Sequence, residues 1–234
     1  MRYLIKYIRK GLVLMIVLLV LLGKVKAYAL TSPFSVVEVI LAKGKIINSA
    51  AITRIAKSEG LPASSVYQWN NHLVVYSKNL NVTTLQKAVK LAYPTCTVKV
   101  YTKPFYDFDR KQQCGNMLLA DEWDNIILTA NLVNDSKLQQ EYLNYHATQF
   151  KKWPEVAKGF CNANFQQLLV FRNGRQLMLV ISIPKGESLD KLNPKTSENN
   201  PRVNEWNKLM KKYQEGIPGS KPGEVWAFFK NKNQ

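Results

Sequence analysis

The sequence predicts an α+β fold made of two ferredoxin-like modules, each with the element order β-α-β-β-α-β. Short apolar, β-branched segments typical of strands alternate with longer segments of helical periodicity. Each half contains a hairpin signal, Asn70-Asn71 in the first and Asn173-Gly174 in the second. The same element order therefore occurs twice along the chain.

The first module is predicted to span residues 30–105. Its strands are short and β-branched, and Ser49 is a candidate N-cap for its first helix. In chain order we expect a strand at 35–41, a helix at 48–58, hairpin strands at 65–69 and 73–77, a helix at 83–91 and a strand at 97–102.

The second module is predicted to span residues 125–234, after a linker at 106–124 within an irregular stretch at 103–123. Asp135 is suited to cap a long helix, and Pro201 stands near the first position of another. In chain order we expect a strand at 125–132, a helix from 136 to about 158, hairpin strands at 165–171 and 176–183, a polar loop at 185–200, a helix at 202–213 and a strand at 224–229.

The sheet of each predicted module leaves one face uncovered. Each sheet has one face covered by helices and one face that requires a partner. Two such sheets packed face to face form a barrel of the dimeric α+β type. Because both modules lie in one chain, we expect an intrachain pseudo-dimer, with a homodimer of chains as the alternative.

Residues 1–29 have the pattern of a secretory signal peptide. Four basic residues lie within the first ten, an uncharged apolar run of 13 residues follows at Gly11–Gly23, and Ala27-Tyr28-Ala29 is a cleavage-site pattern. The run is shorter than the roughly 20 apolar residues of a membrane span. Lys24 and Lys26 leave an uncleaved N-terminal anchor as the alternative. We expect a periplasmic or secreted protein.

The chain is strongly basic, with 33 Lys and Arg against 16 Asp and Glu and a net charge of +17. Residues 1–29 hold six of the basic residues and no acidic ones, so the remainder carries +11. For an exported protein this charge indicates anionic partners such as acidic oligosaccharides or lipid head groups, and no nucleic acid. A general gain in solubility is the alternative explanation.

The cysteines and histidines do not predict a metal site. Cys96, Cys114 and Cys161 show no CxxC spacing, and the chain has two histidines. One disulfide is compatible with an oxidising compartment. We expect none to be required, because about 205 residues after position 29 can bury an adequate core.

The most informative stretch runs from Glu141 to Glu155. Tyr142 and His146 stand four residues apart and share one helix face, where an imidazole and a phenol form a plausible acid/base pair. Packing of a buried helix face is the structural alternative. Tyr145 replaces Tyr142 in this role if the helix is rotated.

This stretch resembles the L-rhamnose mutarotase family, whose sequences carry E-Y-x-x-x-H followed by W-P-E. The resemblance covers about residues 126–229 and implies a dimeric α+β barrel. It also implies a sugar-binding Tyr142, a proton-donating His146, a sugar contact at Trp206, and neither metal nor cofactor.

Three departures from the family pattern affect the expected sugar site. The segment between His146 and Trp153 is about three residues longer, and Asn207 replaces the second of two adjacent tryptophans. The tyrosine expected on the next strand falls near Gln166 or Gln167. The acid/base pair is kept while the apolar clamp is altered, which indicates a shifted substrate.

Several further residues are candidates for binding. Arg172, Arg175 and Arg202 have the geometry to hold a carboxylate or sulfate, although a solvated surface role is the alternative for each. His72, at the first hairpin, is the candidate contribution of the first module to the site, or simply an exposed residue.

Three functions are compatible with these features. The first is elimination on rhamnose-containing oligosaccharides that bear uronic acid or sulfate, by a dehydratase or lyase that uses His146 and Tyr142; export and charge favour it. The second is anomer exchange by a rhamnose mutarotase, as the resemblance implies. The third is a non-catalytic carbohydrate-binding module of the cell envelope.

Overall fold

The computed structural model describes residues 33–42, 44–45, 48–115 and 117–231. The predicted signal peptide lies outside these ranges. Within them, no helix combines the length and the apolar character that crossing a membrane requires.

The first half follows the predicted element order closely. Asn48 rather than Ser49 caps the first helix, where its side chain accepts hydrogen bonds from the backbone of Ala50 and Ala51. The elements are β1 (Phe34–Ile40), α1 (Ser49–Ser58), a 3-10 turn (Ala63–Ser65), β2 (Val66–Trp69), β3 (His72–Lys78), α2 (Val82–Ala92) and β4 (Thr97–Tyr101).

The second half contains more elements than predicted. They are β5 (Tyr106–Asp109), α3 (Arg110–Gln113), β6 (Trp123–Leu132), α4 (Ser136–Ala147), α5 (Gln149–Lys152), α6 (Pro154–Asn162), β7 (Gln167–Asn173), β8 (Gln176–Pro184), α7 (Leu189–Leu192), a 3-10 turn (Asn193–Thr196), α8 (Pro201–Met210), β9 (Gln214–Glu215) and β10 (Ala227–Asn231).

The strands of the described chain form one sheet in the order β4-β1-β3-β2-β10-β6-β8-β7-β5, with β9 paired to β6. These strand pairs are antiparallel, including that of β10 with β2, which joins the two halves. The fold is therefore α+β, as predicted. That each half is a ferredoxin-like module remains a prediction.

The sheet curls so that its inner face buries side chains from both halves together. Val36, Tyr76 and Tyr101 of the first half belong to the same apolar cluster as Phe171 and Phe229 of the second. The helices cover the outer face in two separate clusters, one for each half. The sheet thus has one shared interior and two helical layers.

The stretch at 103–123 is not irregular throughout, so that prediction was wrong. β5 pairs with β7 at the sheet edge, with Tyr106 and Phe108 buried and Asp107 exposed between them. This alternation is the period of a half-buried strand, but it extends over only four residues.

The helix predicted from 136 to about 158 is also wrong, because the chain breaks it into α4, α5 and α6. Pro154 lacks an N–H and disfavours helical dihedrals in the residue before it, and Trp153 accordingly has φ −137° and ψ 52°. The first break falls at Thr148, whose hydroxyl donates to the carbonyl of Asn144 at 2.9 Å.

The polar segment at 185–200 is likewise more ordered than a loop, because it contains α7 and a 3-10 turn. Ser188 caps α7, and Leu192 and Thr196 are buried. Gly159 of α6 allows this turn to approach, since a Cβ there would lie 2.4 Å from the carbonyl oxygen of Thr196.

A disulfide joins Cys114, just after α3, to Cys161 in α6, with the Cα atoms 5.7 Å apart. Cys96 is buried and free. The guanidinium of Arg110 reinforces this junction by donating to the carbonyls of Cys161 at 3.0 Å and Leu118 at 3.0 Å. The segment that connects the two halves is thereby fixed to the second helical layer.

We expect loss of the disulfide to destabilise the fold. It closes a loop with a sequence separation of 47, for which chain entropy gives about 4 kcal/mol. The Cys114→Ser/Cys161→Ser double variant should unfold at clearly lower urea concentration than the oxidised protein. Reductant should weaken the original protein and leave the variant unchanged. Equal stability of both proteins would show that the bridge is not required.

Candidate functional site

The helix α4 presents Tyr142 and His146 to the core between helices and sheet. Asp135 caps this helix by accepting a hydrogen bond from the backbone of Leu138 at 2.9 Å. His146 Nδ1 lies 2.9 Å from the carbonyl oxygen of Tyr142. Because a carbonyl only accepts, Nδ1 carries the proton and Nε2 keeps its lone pair.

Four aromatic rings surround the imidazole of His146. Their centroids lie 4.2 Å away for Tyr142, 5.3 Å for Tyr106, 5.3 Å for Trp206 and 5.6 Å for Phe105. Only 8% of His146 is exposed. This burial disfavours the charged ring and lowers the pKa of His146 to about 4, so the imidazole is neutral at pH 7.

Tyr142 has the complementary proton state. Gln214 donates its side-chain amide to the phenol oxygen at 3.1 Å, which leaves the phenol hydrogen available to a further acceptor. Burial raises the pKa of Tyr142 well above its usual range, so the hydroxyl stays protonated. The site therefore combines a neutral base with a neutral acid.

The longer segment after His146 forms α5 and returns Trp153 to the site. Gln149 is fully buried, accepts from the hydroxyl of Tyr106 at 2.8 Å and donates to the carbonyl of Trp153 at 2.6 Å. The Trp153 ring lies 5.6 Å from Trp206, and the guanidinium of Arg202 lies 3.9 Å from its centroid. A pair of non-adjacent tryptophans thus borders the site.

Comparison with known proteins shows the family to which the second half of the chain is similar. The family model described as L-rhamnose mutarotase matches residues 126–231. An L-fucose mutarotase of Xanthomonas campestris pv. campestris is 32% identical over 97 residues, which are 41% of this chain and 75% of that protein. The chain belongs to the L-rhamnose mutarotase family.

Other relatives add little about function. A UPF0734 protein of Dictyostelium discoideum is 32% identical over 101 residues, 42% of this chain and 78% of that protein. The solved structure of a Fusobacterium nucleatum protein aligns over 86% of this chain and 92% of that chain at 9% identity with a TM-score of 0.45. The mutarotase match lies in the second half of the chain.

The structure brings some of the predicted site residues together. Tyr142 and Trp206 both pack against the imidazole of His146, with ring centroids 4.2 Å and 5.3 Å away. Tyr145 packs beside Trp206 at 6.3 Å and Tyr213 at 5.9 Å, whereas the ring of Tyr142 packs on the imidazole itself. Tyr142 is therefore the tyrosine that pairs with the imidazole.

Other predicted residues have different contacts. Gln166 is 1% exposed and bonds to the backbone of Ala120 and Asn164, so it holds chain segments together. Asn207 is exposed on α8. Arg172 donates to Gln139 at 2.8 Å, and Arg175 pairs with Glu215. None of these four is in the aromatic group around His146.

Of two further predicted residues, Arg202 lies beside Trp153 at the border of the site, and His72 lies in the first half of the chain. Arg202 stacks on Trp153 and pairs with Glu205 on the same helix. His72 pairs with the buried Glu38 and does not join the second half's site. Within the described ranges, no group of three His, Cys, Asp or Glu side chains is arranged to hold a metal ion.

Sequence reasoning missed Phe105, Tyr106, Gln149 and Gln214, which enclose or orient the pair. The only sequence signal for Tyr106 was the short alternation of apolar and polar residues in β5. Gln149 and Gln214 are polar residues whose roles arise only once their elements pack, so no local pattern marks them.

We expect His146 to make stability depend on pH in a definite window. Between about pH 6.5 and pH 4 the unfolded chain binds a proton at this residue and the folded chain does not, so stability falls as pH falls. The contribution approaches about 3 kcal/mol below pH 4.

Urea unfolding at several pH values from 7 to 4 tests this expectation. His146→Gln should lose stability less steeply than the original protein over this range, while His72→Gln should keep the steep dependence. Parallel curves for the original protein and His146→Gln would contradict it.

Proposed function

We propose that the protein is an isomerase of the aldose mutarotase type, which interconverts the anomers of a pyranose at Tyr142 and His146. The carrying observation is the pairing of a neutral, orientation-fixed imidazole with a protonated phenol, with ring centroids 4.2 Å apart. Membership of the L-rhamnose mutarotase family supports the same conclusion.

The chemistry needs one base and one acid. Nε2 of His146 takes the proton of the anomeric hydroxyl while the Tyr142 hydroxyl protonates the ring oxygen, and the bond between the anomeric carbon and the ring oxygen breaks. The resulting open-chain aldehyde rotates about its C1–C2 bond and closes on the other face. During closure His146 returns its proton and Tyr142 recovers its own, so the enzyme is unchanged.

The rings that border the pair suit a sugar. The C–H faces of a pyranose pack on aromatic rings, and Trp206 and Trp153 offer two such surfaces. The named relatives act on L-rhamnose and L-fucose, so we propose a free six-carbon pyranose of this kind as substrate. Asn207, in place of the second tryptophan, leaves Trp153 to supply the other side of the clamp.

The first function expected from the sequence, elimination on anionic oligosaccharides, has less support than the isomerase alternative. An eliminating enzyme needs a cation on the substrate carboxylate. The contacts described for Tyr142 and His146 are with aromatic rings, Gln214 and backbone. Arg172 and Arg175 bond elsewhere, and Arg202, beside Trp153, pairs with Glu205.

We further propose that the two halves form a pseudo-dimer within the chain. The strand order β4-β1-β3-β2 in the first half corresponds to β10-β6-β8-β7 in the second. Only the second half carries the family motif. The signal-peptide pattern of residues 1–29 supports export as a further proposal.

We expect His146→Ala to lower the enzyme-catalysed rate of anomer exchange by 100-fold or more, since general acid/base catalysis typically contributes 10²–10⁴-fold. Tyr142→Phe removes the acid and should cause a similar loss, whereas Tyr145→Phe should stay within a few-fold of the original. Saturation-transfer NMR on L-rhamnose and L-fucose measures the exchange directly.

Folded variants are needed for this comparison, so each should show an unfolding transition close to the original. Unchanged anomer exchange in folded His146→Ala would exclude catalysis at this pair. Absence of catalysed exchange in the original protein with intact sugar binding would favour the non-catalytic binding module.

The half-buried ring of Phe105 controls access to His146 in this proposal. It packs against both Tyr142 at 6.1 Å and His146 at 5.6 Å. We expect Phe105→Ala to lower the KM for the sugar several-fold, because the site no longer has to displace this ring. Phe150→Ala, which removes a ring stacked on Tyr106 instead, is the matched control. Equal effects of the two would show that Phe105 is not a barrier.

A further inference from the structure

A large cavity opens at one end of the curled sheet. It measures about 1030 Å³, and none of its lining residues belongs to the aromatic group around His146. Both halves of the chain contribute, the first through the turn at Asn70-Asn71 and the second through the turn at Asn173–Gln176. The amide of Asn173 donates to the carbonyl of Val100 at 3.1 Å and holds the two sides together.

Two polar residues of the cavity lining, His72 and Gln176, bond to a buried carboxylate. Glu38 has no exposed surface, and its two oxygens accept hydrogen bonds from the Tyr101 hydroxyl at 2.9 Å and from the Gln176 amide at 3.1 Å each. His72 Nδ1 lies 2.7 Å from the same carboxylate. Since the amide and the phenol already donate to it, the carboxylate acts as the acceptor and Nδ1 carries the proton.

This arrangement fixes the tautomer and orientation of His72. With Nδ1 engaged by Glu38, Nε2 is the ring nitrogen left for a ligand, as in other carboxylate–histidine pairs. Among the described residues, no hydrogen bond to Nε2 is found. His72 is 8% exposed and belongs to the cavity lining.

The cost of burying Glu38 indicates that the network serves more than packing. A buried carboxylate costs several kcal/mol of desolvation, and well-packed apolar residues often replace such groups without loss of stability. A packing role alone would also not require an open cavity beside the imidazole. The chain places the network at a cavity wall that a ligand can reach.

The charges of the cavity lining are all positive within the described ranges. Lys45, Lys99 and Arg175 supply them, and none of the described lining residues carries a carboxylate. Lys99 bonds to the neutral side chain of Gln176, which links it to the buried Glu38 opposite it on β1, and Lys99 presents its charge on the cavity side of that network. Arg175 is partly compensated by Glu215. An anionic ligand is therefore favoured over a neutral or cationic one.

The remaining lining residues suit a sugar. The side chains of Asn70, Asn71 and Asn131 supply amide donors and acceptors for hydroxyl groups, while Ile217 and Pro218 supply apolar surface for C–H groups. We propose that this cavity is a binding site for a carboxylate-bearing pyranose, with Lys99 facing the carboxylate and His72 Nε2 bonding a ring hydroxyl. The proposal goes beyond anomer exchange at His146 and does not depend on it.

Histidine NMR tests the proposal directly, because the chain holds two histidines. In protein without a histidine tag, His72→Gln assigns the two ring C–H resonances. Titration with D-glucuronate should shift the His72 resonance and leave that of His146 in place. Equal concentrations of D-glucose, which has the same ring and no carboxylate, should bind at least fivefold more weakly.

Variants separate this site from the acid/base pair. Lys99→Met should raise the dissociation constant for D-glucuronate on the order of tenfold, because it removes the cation proposed to face the carboxylate. Lys137→Gln removes an exposed lysine of α4 that does not line the cavity and should leave binding unchanged. His146→Ala should lower the rate of anomer exchange by 100-fold or more and retain glucuronate binding. Lys99→Met should weaken glucuronate binding and retain anomer exchange.

Three results would overturn the proposal. One is the absence of a His72 shift with D-glucuronate up to tens of millimolar. Another is binding of D-glucose as strong as that of D-glucuronate. The third is loss of binding in folded Lys137→Gln equal to that in Lys99→Met, which would mean that general positive charge attracts the acid.

Discussion

The pairing of β10 with β2 is the interaction on which the architecture depends. Its register joins Lys230 to Gln68 and Asn231 to Tyr67, and the Asn231 side chain adds a bond to the carbonyl of Ser64 at 2.9 Å. This short contact makes one sheet from two halves that are far apart in sequence. Without it, each half would present an apolar inner face to water, which hydrophobic burial strongly disfavours.

The same constraint divides the molecule into chemically distinct regions. The outer face of the second half buries Tyr142 and His146 among aromatic rings, where low polarity keeps both groups neutral. The open end of the shared interior holds the charged Glu38–His72 network and basic side chains. One histidine is thus tied to a backbone carbonyl in an apolar setting, and the other to a carboxylate in a polar one.

The sequence supported the α+β class, most element positions and the family relationship, because these follow from periodicity, turn residues and a local motif. The proximity of Tyr142, His146 and Trp206 was also expected. The breaks around α5 were missed, although Pro154 is a local signal for the second of them. β5 was missed because four residues give too little periodicity against a background of turn-like sequence.

The contacts of Gln149, Gln214 and Glu38 could not have been predicted in this way. Each depends on elements separated by tens of residues, so only tertiary packing defines the partner. For the arginines, the residue type suggested a role that their position in the fold does not support. Arg172 and Arg175 have the right chemistry for an acid group at His146, but the strand register directs them to Gln139 and Glu215.

The strand β5 has a consequence for how this chain can be dissected. Similarity to the mutarotases begins at residue 126, yet β5 at Tyr106–Asp109 completes the sheet edge beside β7, and Phe105 and Tyr106 form two walls around His146. The folded unit that encloses His146 therefore begins some twenty residues before the region of sequence similarity. A fragment cut at the boundary of similarity would expose the edge of β7 and leave the imidazole half uncovered. The smallest piece that keeps this environment intact has to start before Phe105.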